Sequence, residues 1–283
     1  MNQLRLLSLS LAVSLSTITA QALPPLAAGA RGVSAVEASS PNHPSIAANL
    51  SKLPLSFEPN RGQAGSSVQF LAQGRGYSLL LSGSSAVVAL GNPVDCPAQD
   101  NSSQPCNPRR KMQPELVRMT LAGQSAPYVG TLTGEEMLPG KVNYLIGDQP
   151  ANWRTGISTY AKVRQTAAYP GIDLVYYGNQ SQLEFDFVVA PGASPAAIQL
   201  GFAGQRRLSI ASNGDLRLDG LRGQIVLPKP LVYQEEKGLR KPIPASFRLA
   251  AGNTVTFRIG NYDPGRPLII DPVLVYSTYL GSS

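Results

Sequence analysis

The sequence has 283 residues and a formal net charge of +7, from 24 Lys and Arg residues against 17 Asp and Glu residues. Only 14% of the residues are charged, whereas 27 are Gly and 24 are Pro, a balance that excludes coiled coils, helical bundles and charged disordered tails. The single histidine, His43, precedes Pro44 in a segment without clear periodicity. Because His-dependent hydrolases and His-ligated metal sites need a positioned imidazole, we expect neither, and we predict no cofactor.

The first 22 residues have the layout of a secretory signal peptide. Arg5 precedes an apolar run, Leu6–Ile18, that is too short to span a bilayer, and a small-residue cleavage site ends at Ala22. We therefore predict cleavage after Ala22 and an exported protein, secreted, at the cell surface or periplasmic, with no transmembrane segment in the mature chain. Residues 23–50 are small and Pro-rich, which favours a flexible lead-in.

From Leu55 onward, short apolar or alternating segments separated by Gly, Pro and Asn predict β-strands. The predicted strands are 67–72, 76–81, 85–90, 116–121, 172–177, 182–189, 197–202, 208–211, 215–218, 224–227, 231–234, 246–249, 254–259 and 268–270. Their regular spacing indicates an all-β antiparallel sandwich or barrel. We predict an all-β domain over residues 51–272, an antiparallel β-sandwich built as one large unit or two packed halves, with few or no helices.

Cys96 and Cys106 lie in one polar, Pro-rich segment. Two nearby cysteines in an exported protein most simply form a disulfide, which stabilises a short loop by about 2–3 kcal/mol. Two thiols without a histidine or a third cysteine are too few for a metal site, so we predict a disulfide and no metal.

Carboxylates are candidates for a site on the predicted strand 182–189. Glu184 and Asp186 are two residues apart and therefore share a face, and Asp173 can join them across a hairpin that turns near Gly178. Three interpretations stay open: an ordinary solvated sheet face, an ion or salt-bridge site, or a carboxylate-dependent glycosidase or lyase.

Aromatic residues are candidates for a carbohydrate platform. Trp153 is the only tryptophan, and Tyr160 and Tyr176 follow it. Exposed aromatic rings beside polar groups can stack on sugar faces, but a lone Trp in a β domain also serves as a core or edge residue. Of Tyr176 and its neighbour Tyr177, one must face the core if the strand alternates.

Basic residues occur in separate clusters, at 109–111, 206–207 and 237–241. Such clusters can attract anionic polysaccharides, lipid head groups or nucleic acid. No recognition helix, zinc finger or RNA-binding signature accompanies them, so we predict that nucleic acid is not a partner.

The motif Phe57-Glu-Pro-Asn-Arg-Gly-Gln63 begins a series of blocks that resembles a known family. The further blocks are 70–77, 142–147, 153–155, 159–164, 169–179, 183–192 and 269–281. Together they are similar to the N-terminal domain, of unknown function, that precedes the propeller repeats of bacterial seven-bladed β-propeller-repeat (SBBP) proteins. Residues 273–283 resemble the start of a first propeller repeat, and we expect this stub to add a last strand to the domain.

The resemblance implies an exported protein and no known catalytic residues. Our leading hypothesis is a non-catalytic structural or interaction module of a propeller-repeat-type cell-surface or secreted protein, whose partner is a polysaccharide or another cell-surface protein. The alternatives are a carbohydrate-binding domain using Trp153 and nearby tyrosines, and a carboxylate-dependent enzyme using Glu184 and Asp186.

Overall fold

The computed structural model describes residues 55–74, 76–90, 114–123, 131–179, 182–221 and 223–278. Every described residue belongs to a single compact unit. The predicted signal peptide and its cleavage at Ala22, the lead-in and the pair Cys96 and Cys106 lie outside the described residues. Within the described ranges, no helix is long and apolar enough to cross a membrane.

Nineteen strands account for most of the described chain. The first nine are β1 (Phe57–Pro59), β2 (Phe70–Gly74), β3 (Tyr77–Ser82), β4 (Ser85–Leu90), β5 (Glu115–Ala122), β6 (Leu132–Tyr144), β7 (Arg154–Tyr169), β8 (Ile172–Asn179) and β9 (Gln182–Val189). The other ten are β10 (Gln199–Ala203), β11 (Arg207–Ile210), β12 (Leu216–Asp219), β13 (Gly223–Leu227), β14 (Leu231–Glu236), β15 (Leu239–Pro242), β16 (Ala245–Ala250), β17 (Thr254–Ile259), β18 (Leu268–Asp271) and β19 (Val273–Thr278). Two single-turn 3-10 helices, Pro150–Asn152 and Pro195–Ala197, are the only helical segments among the described residues.

All strand pairs are antiparallel and join into one large sheet that is nearly closed and barrel-like. Strands β1 to β5 pair in chain order, and β5 continues through β10 and β17 to β16. In the other direction, β1 meets β7, and β7, β8 and β9 pair in order. Strand β9 then pairs with both β18 and β19. Strand β18 pairs with β14, which pairs with β15. Strand β19 pairs with β13, and the sheet continues from β13 to β12 and β11. The predicted all-β, antiparallel class is confirmed.

Alternating apolar residues build the core. Strand β3 buries every second residue, including Leu79 and Leu81, as a strand with one face on the core must. Phe187 on β9 contacts Phe257 on β17 at a ring-centroid distance of 6.1 Å, although these two strands are not paired. Since each fully buried apolar side chain contributes about 1.5–3 kcal/mol, contacts across the interior hold the sheet in its curved form.

The longest hairpin, β6 with β7, is where no strand was predicted. Pro139 and Gly140 interrupt β6, and the register shifts between Leu138 and Lys141 accommodate them as a bulge. Gly134 is required by packing, because a Cβ there would lie 2.6 Å from the Tyr160 ring. Because glycine and proline are typical of turns, the sequence pattern predicted no strands here, although tertiary contacts stabilise this pair.

Strand β19 belongs to the same sheet. Val273 and Leu274 pair with β9, and Val275 and its successors pair with β13. The described part of the segment that follows Pro272 thus adds a strand beside the domain's central strands.

Candidate functional site

The loop after β1 is organised by one side chain, Asn60. Its Nδ2 donates to the carbonyl oxygens of Ala64, Gly65 and Val68 at 2.9–3.2 Å, and its Oδ1 accepts the backbone N–H groups of Gly62 and Ala64 at 3.0 and 3.1 Å. Because one amide satisfies backbone groups on both sides of the turn, the loop is held in a single conformation.

Two contacts attach this loop to the β6–β7 hairpin. Arg154 Nε donates to the Arg61 carbonyl at 3.0 Å, and the same guanidinium lies 3.3 Å from where a Cβ on Gly62 would be. Gly62 has φ +104°, so a side chain there is disfavoured by both backbone conformation and space. The Tyr144 hydroxyl donates to Oε1 of the buried Glu58.

Burial raises the pKa of Glu58, although its hydrogen bonds from Tyr144 and Gln63 oppose that rise. Its second oxygen, Oε2, is buried without a hydrogen-bond partner. Glu58 is thus a buried carboxyl group, and a hydrogen bond from Tyr144 of the hairpin favours its charged form.

Between loop and hairpin lies an open groove of about 400 Å³, which we call the Trp153 groove. Its lining residues are Pro59, Arg61, Trp153, Arg154, Thr155, Gly156, Ile157, Ser158 and Tyr160. Trp153 is 37% exposed, and its indole Nε1 donates to the Gly147 carbonyl at 3.1 Å, which fixes the ring at the end of the hairpin. The groove therefore combines a fixed aromatic ring with hydroxyl groups and two guanidinium groups.

The structure brings together two of the three predicted aromatic residues. Tyr160 lines the groove with Trp153, and its ring packs edge-on against Phe70 at 6.2 Å. Tyr176 is 2% exposed and packs against Phe185 in the core, so its prediction as a ligand-binding residue is corrected. Strand β8 alternates, and Tyr176 is the tyrosine that faces inward.

The groove differs from the rest of the hairpin in its ion pairing. Within the described ranges, neither Arg61 nor Arg154 makes a salt bridge, whereas Arg164 contacts Glu135 at 2.7 Å and Asp173 at 3.2 Å. Arg154 instead donates Nη1 to backbone carbonyls of its own turn, including that of Trp153 at 3.2 Å. Arg154 is a structural clamp, and Arg61 is an exposed cation at the rim.

The end of the hairpin also presents aliphatic side chains. Leu145 and Ile146 are 61% and 62% exposed, next to the turn that carries Trp153. Other large exposed apolar residues, such as Leu221 and Leu239, have no exposed large apolar neighbour next to them in the sequence.

The predicted carboxylates form a second candidate region, the acidic cluster of Glu184, Asp186 and Asp271. As predicted from the strand alternation, Glu184 and Asp186 share the face of β9 opposite to the buried Phe185 and Phe187. Asp271 follows Ile270, the partner of Phe187, which places it opposite Asp186, and its Oδ1 is buried without a hydrogen-bond partner.

Asp173 does not belong to this cluster. It pairs with Val188 in the register, and its carboxylate binds Arg164 and the Ala167 N–H at 3.2 and 2.8 Å. The prediction that Asp173 joins Glu184 and Asp186 is therefore corrected: the third carboxyl group comes from Asp271. The cross-strand position of Asp271 depends on the pairing of β9 with β18, which no local pattern reveals.

The acidic cluster has one group that titrates near neutrality. Burial, and then the charge of Asp271, raise the pKa of Asp186 to about 7, against a hydrogen bond from the Tyr177 hydroxyl at 3.0 Å. Burial also raises the pKa of Asp271, and the positive charge of Arg240 opposes this. A carboxyl group that is partly protonated at neutral pH can donate a proton. No group of three or more His, Cys, Asp or Glu side chains in the described part of the chain has the geometry of a metal site.

Comparison with known proteins assigns a family and no activity. No curated protein and no solved structure matches the chain. Residues 57–273 match the family described as Domain of unknown function (DUF7948). That span begins at Phe57, the first residue of β1, and ends at the first residue of β19. It includes both candidate regions. The chain belongs to the DUF7948 family.

Proposed function

We propose that this chain is a non-catalytic binding module whose ligand is a carbohydrate chain held in the Trp153 groove. The observation that carries the proposal is the placement of Trp153 and Tyr160 in one open groove, beside hydroxyl and guanidinium groups. Aromatic rings supply flat apolar area for a sugar face, and the surrounding polar groups bond its hydroxyls. The volume falls within the range of about 300–1,000 Å³ that small-ligand sites occupy.

Preorganisation supports the same proposal. The Asn60 loop and the Arg154 clamp fix one wall, and the indole hydrogen bond to Gly147 fixes the ring. A site that is ordered before the ligand arrives loses less entropy on binding. The acidic cluster lines none of this groove, and so it offers no proton donor to a sugar bound there.

Trp153 fluorescence tests the proposal directly, because the chain has one tryptophan. Titration with neutral and acidic polysaccharides is expected to give a saturable change in emission for at least one of them. Calorimetry on Trp153→Ala should then show loss of binding, while the matched surface variant Leu239→Ala should bind like the unaltered protein. Polysaccharides that change neither emission nor heat would overturn the proposal.

A second candidate function is contact with a partner protein, and the exposure of Leu145 and Ile146 favours it. Interfaces are enriched in Trp, Tyr and Arg around an apolar centre, and this hairpin end carries all of these types. A photo-crosslinking residue placed at Ile146, in cells that make the protein, should capture one defined product. The same residue at Leu239 is the control and should capture none.

We also propose the context that the sequence indicated: an exported module of the SBBP type, with a Cys96–Cys106 disulfide. The N-terminal layout and the ordered sequence blocks support it. An N-terminus at Leu23 in the exported fraction, and thiols that label only after reduction, are the expected results. Retention of the full chain in the cytoplasm would contradict it.

A further inference from the structure

We infer that the carbohydrate bound in the Trp153 groove is acidic, a polysaccharide of the uronic acid type, and that Arg61 binds its carboxylate. The inference rests on the proposed function and adds the chemical class of the ligand. It depends on the position, the fixation and the charge environment of Arg61.

The backbone of Arg61 is fixed from both sides, while its side chain stays in solvent. Its N–H donates to Gln63 Oε1 at 2.5 Å, and its carbonyl accepts from Arg154 Nε at 3.0 Å. Arg61 is exposed and lines the same groove as Trp153. The loop therefore presents the Arg61 side chain, on a backbone fixed by hydrogen bonds, to the groove that Trp153 also lines.

The charge of Arg61 has no carboxylate of the groove to balance it. None of the lining residues is acidic, and the nearest acid along the loop, Glu58, is buried and bonded to Tyr144. Asp148 lies in the β6–β7 connection and does not line the groove. Arg164 and Arg266 differ from Arg61, because each contacts two carboxylates, and Arg154 differs because its guanidinium bonds backbone carbonyls.

Guanidinium groups suit this ligand. The planar fork of Arg matches a carboxylate with two parallel N–H···O bonds, and charge-assisted bonds are stronger than neutral ones. A sugar stacked on Trp153 with its carboxylate toward Arg61 uses both features of the groove. A neutral sugar would leave the guanidinium only hydroxyl groups to bond.

The test compares polymers that differ only in charge. Oligosaccharides of polygalacturonate, alginate and hyaluronan are titrated beside their methyl-esterified forms, with Trp153 emission and calorimetry as readouts. At least one acidic form should bind about tenfold more tightly than its ester, and higher salt should weaken only the acidic form.

Variants locate the effect. Arg61→Gln is expected to reduce binding of the acidic form to the level of the ester, and Arg61→Lys should restore part of it. Arg217→Gln, at an exposed arginine on β12, is the matched control and should change nothing. Because Arg61 is exposed, an unchanged unfolding transition is the check on folding.

The outcomes separate the two proposals. If acidic and esterified forms bind equally and Arg61→Gln binds like the unaltered protein, the charge inference is overturned and the carbohydrate proposal stands. If none of these oligosaccharides binds but a neutral polysaccharide does, only the charge inference is overturned, and if nothing binds, both are overturned. If the acidic form binds more tightly but Arg61→Gln has no effect, Arg61 is not the carboxylate-binding residue and the inference is again overturned.

Discussion

The acidic cluster and the Trp153 groove place charged groups in opposite ways. In the cluster, Asp186 and Asp271 lie one position beyond the register pair Phe187 and Ile270 of two regular strands, and the charge of Asp271 raises the pKa of Asp186. In the groove, Arg61 stands on an irregular loop with its charge turned to solvent. A regular sheet brings side chains together by register, even where they are acids that disfavour each other's charge, whereas a braced loop can turn a charge toward solvent and a ligand.

The two regions also differ in their effects on stability. The cluster holds partly buried carboxyl groups whose ionisation is unfavourable. The groove carries the exposed side chains of Arg61 and Trp153, beside a loop that Asn60 holds by hydrogen bonds to backbone groups. We therefore expect substitutions in the cluster to affect the pH dependence of unfolding, and substitutions at the groove surface to affect binding alone.

The largest effect is expected at the base of the groove. Asn60→Ala removes the side-chain bonds to five backbone groups and should lower the free energy of unfolding by about 2–3 kcal/mol. Urea denaturation measures it. Asn213→Ala, which loses bonds only to Asp215, is the control, and a larger loss there than at Asn60 would contradict the importance of the loop.

The second effect concerns the contact between hairpin and loop. Tyr144→Phe removes one of the two hydrogen bonds that lower the pKa of buried Glu58, and should cost about 1–3 kcal/mol of stability at pH 8. At pH 4 the cost should be smaller, because protonated Glu58 does not need the donor. Urea denaturation at both values measures it. In a double-mutant cycle with Glu58→Gln, additive effects of the two changes would show that the pair is not coupled.

The third prediction concerns the acidic cluster, where the substitution is expected to stabilise the protein. The folded-state pKa of Asp186 is about 7, above its usual value, so the folded state binds the proton more tightly and stability falls as pH rises toward 7. Asp186→Asn should therefore stabilise the protein at pH 8 by about 1–2 kcal/mol, after allowance for solvent screening. Thermal unfolding from pH 4 to pH 8 should show the gain vanish at pH 4.

The control for that prediction is Asp173, which lies outside the acidic cluster. Asp173→Asn loses the ion pair with Arg164 while its Oδ1 can still accept from the Ala167 N–H, so it should destabilise the protein at pH 8. If Asp186→Asn destabilises the protein to the same extent, then the charged form of Asp186 is not disfavoured in the acidic cluster.

Sequence patterns predicted the regular part of the molecule well. Strand β4 was predicted over 85–90 and is observed there, and Thr254–Ile259 likewise forms β17 as predicted. Both are rich in apolar or β-branched residues, and each has a glycine within two residues of both ends. The hairpin of β6 and β7 was missed, because Pro139, Gly140 and Gly156 are typical of turns, and only packing shows that bulges accommodate them.

For the candidate sites too, sequence patterns predicted the local features and missed those that depend on tertiary contacts. Strand alternation placed Glu184 and Asp186 on one face, but the partner across the sheet, Asp271, depends on a pairing between residues far apart in sequence. Trp153 and Tyr160 were predicted as a platform, but Arg61 was noticed only as part of a motif. Its approach to the groove needs the contact between Arg154 and the Asn60 loop, which brings together residues 93 positions apart.

The smallest effect on stability is expected at the end of the hairpin. Leu145→Ser and Ile146→Ser should each change the free energy of unfolding by no more than about 0.5 kcal/mol, because both side chains are already in solvent. Ile157→Ser on the same hairpin, where the side chain is 5% exposed, should cost several-fold more. Urea denaturation of the three variants compares them. Equal losses would mean that the exposed pair supports the fold, whereas the expected difference leaves Leu145 and Ile146 without a folding role and makes contact with a partner the better account of their presence.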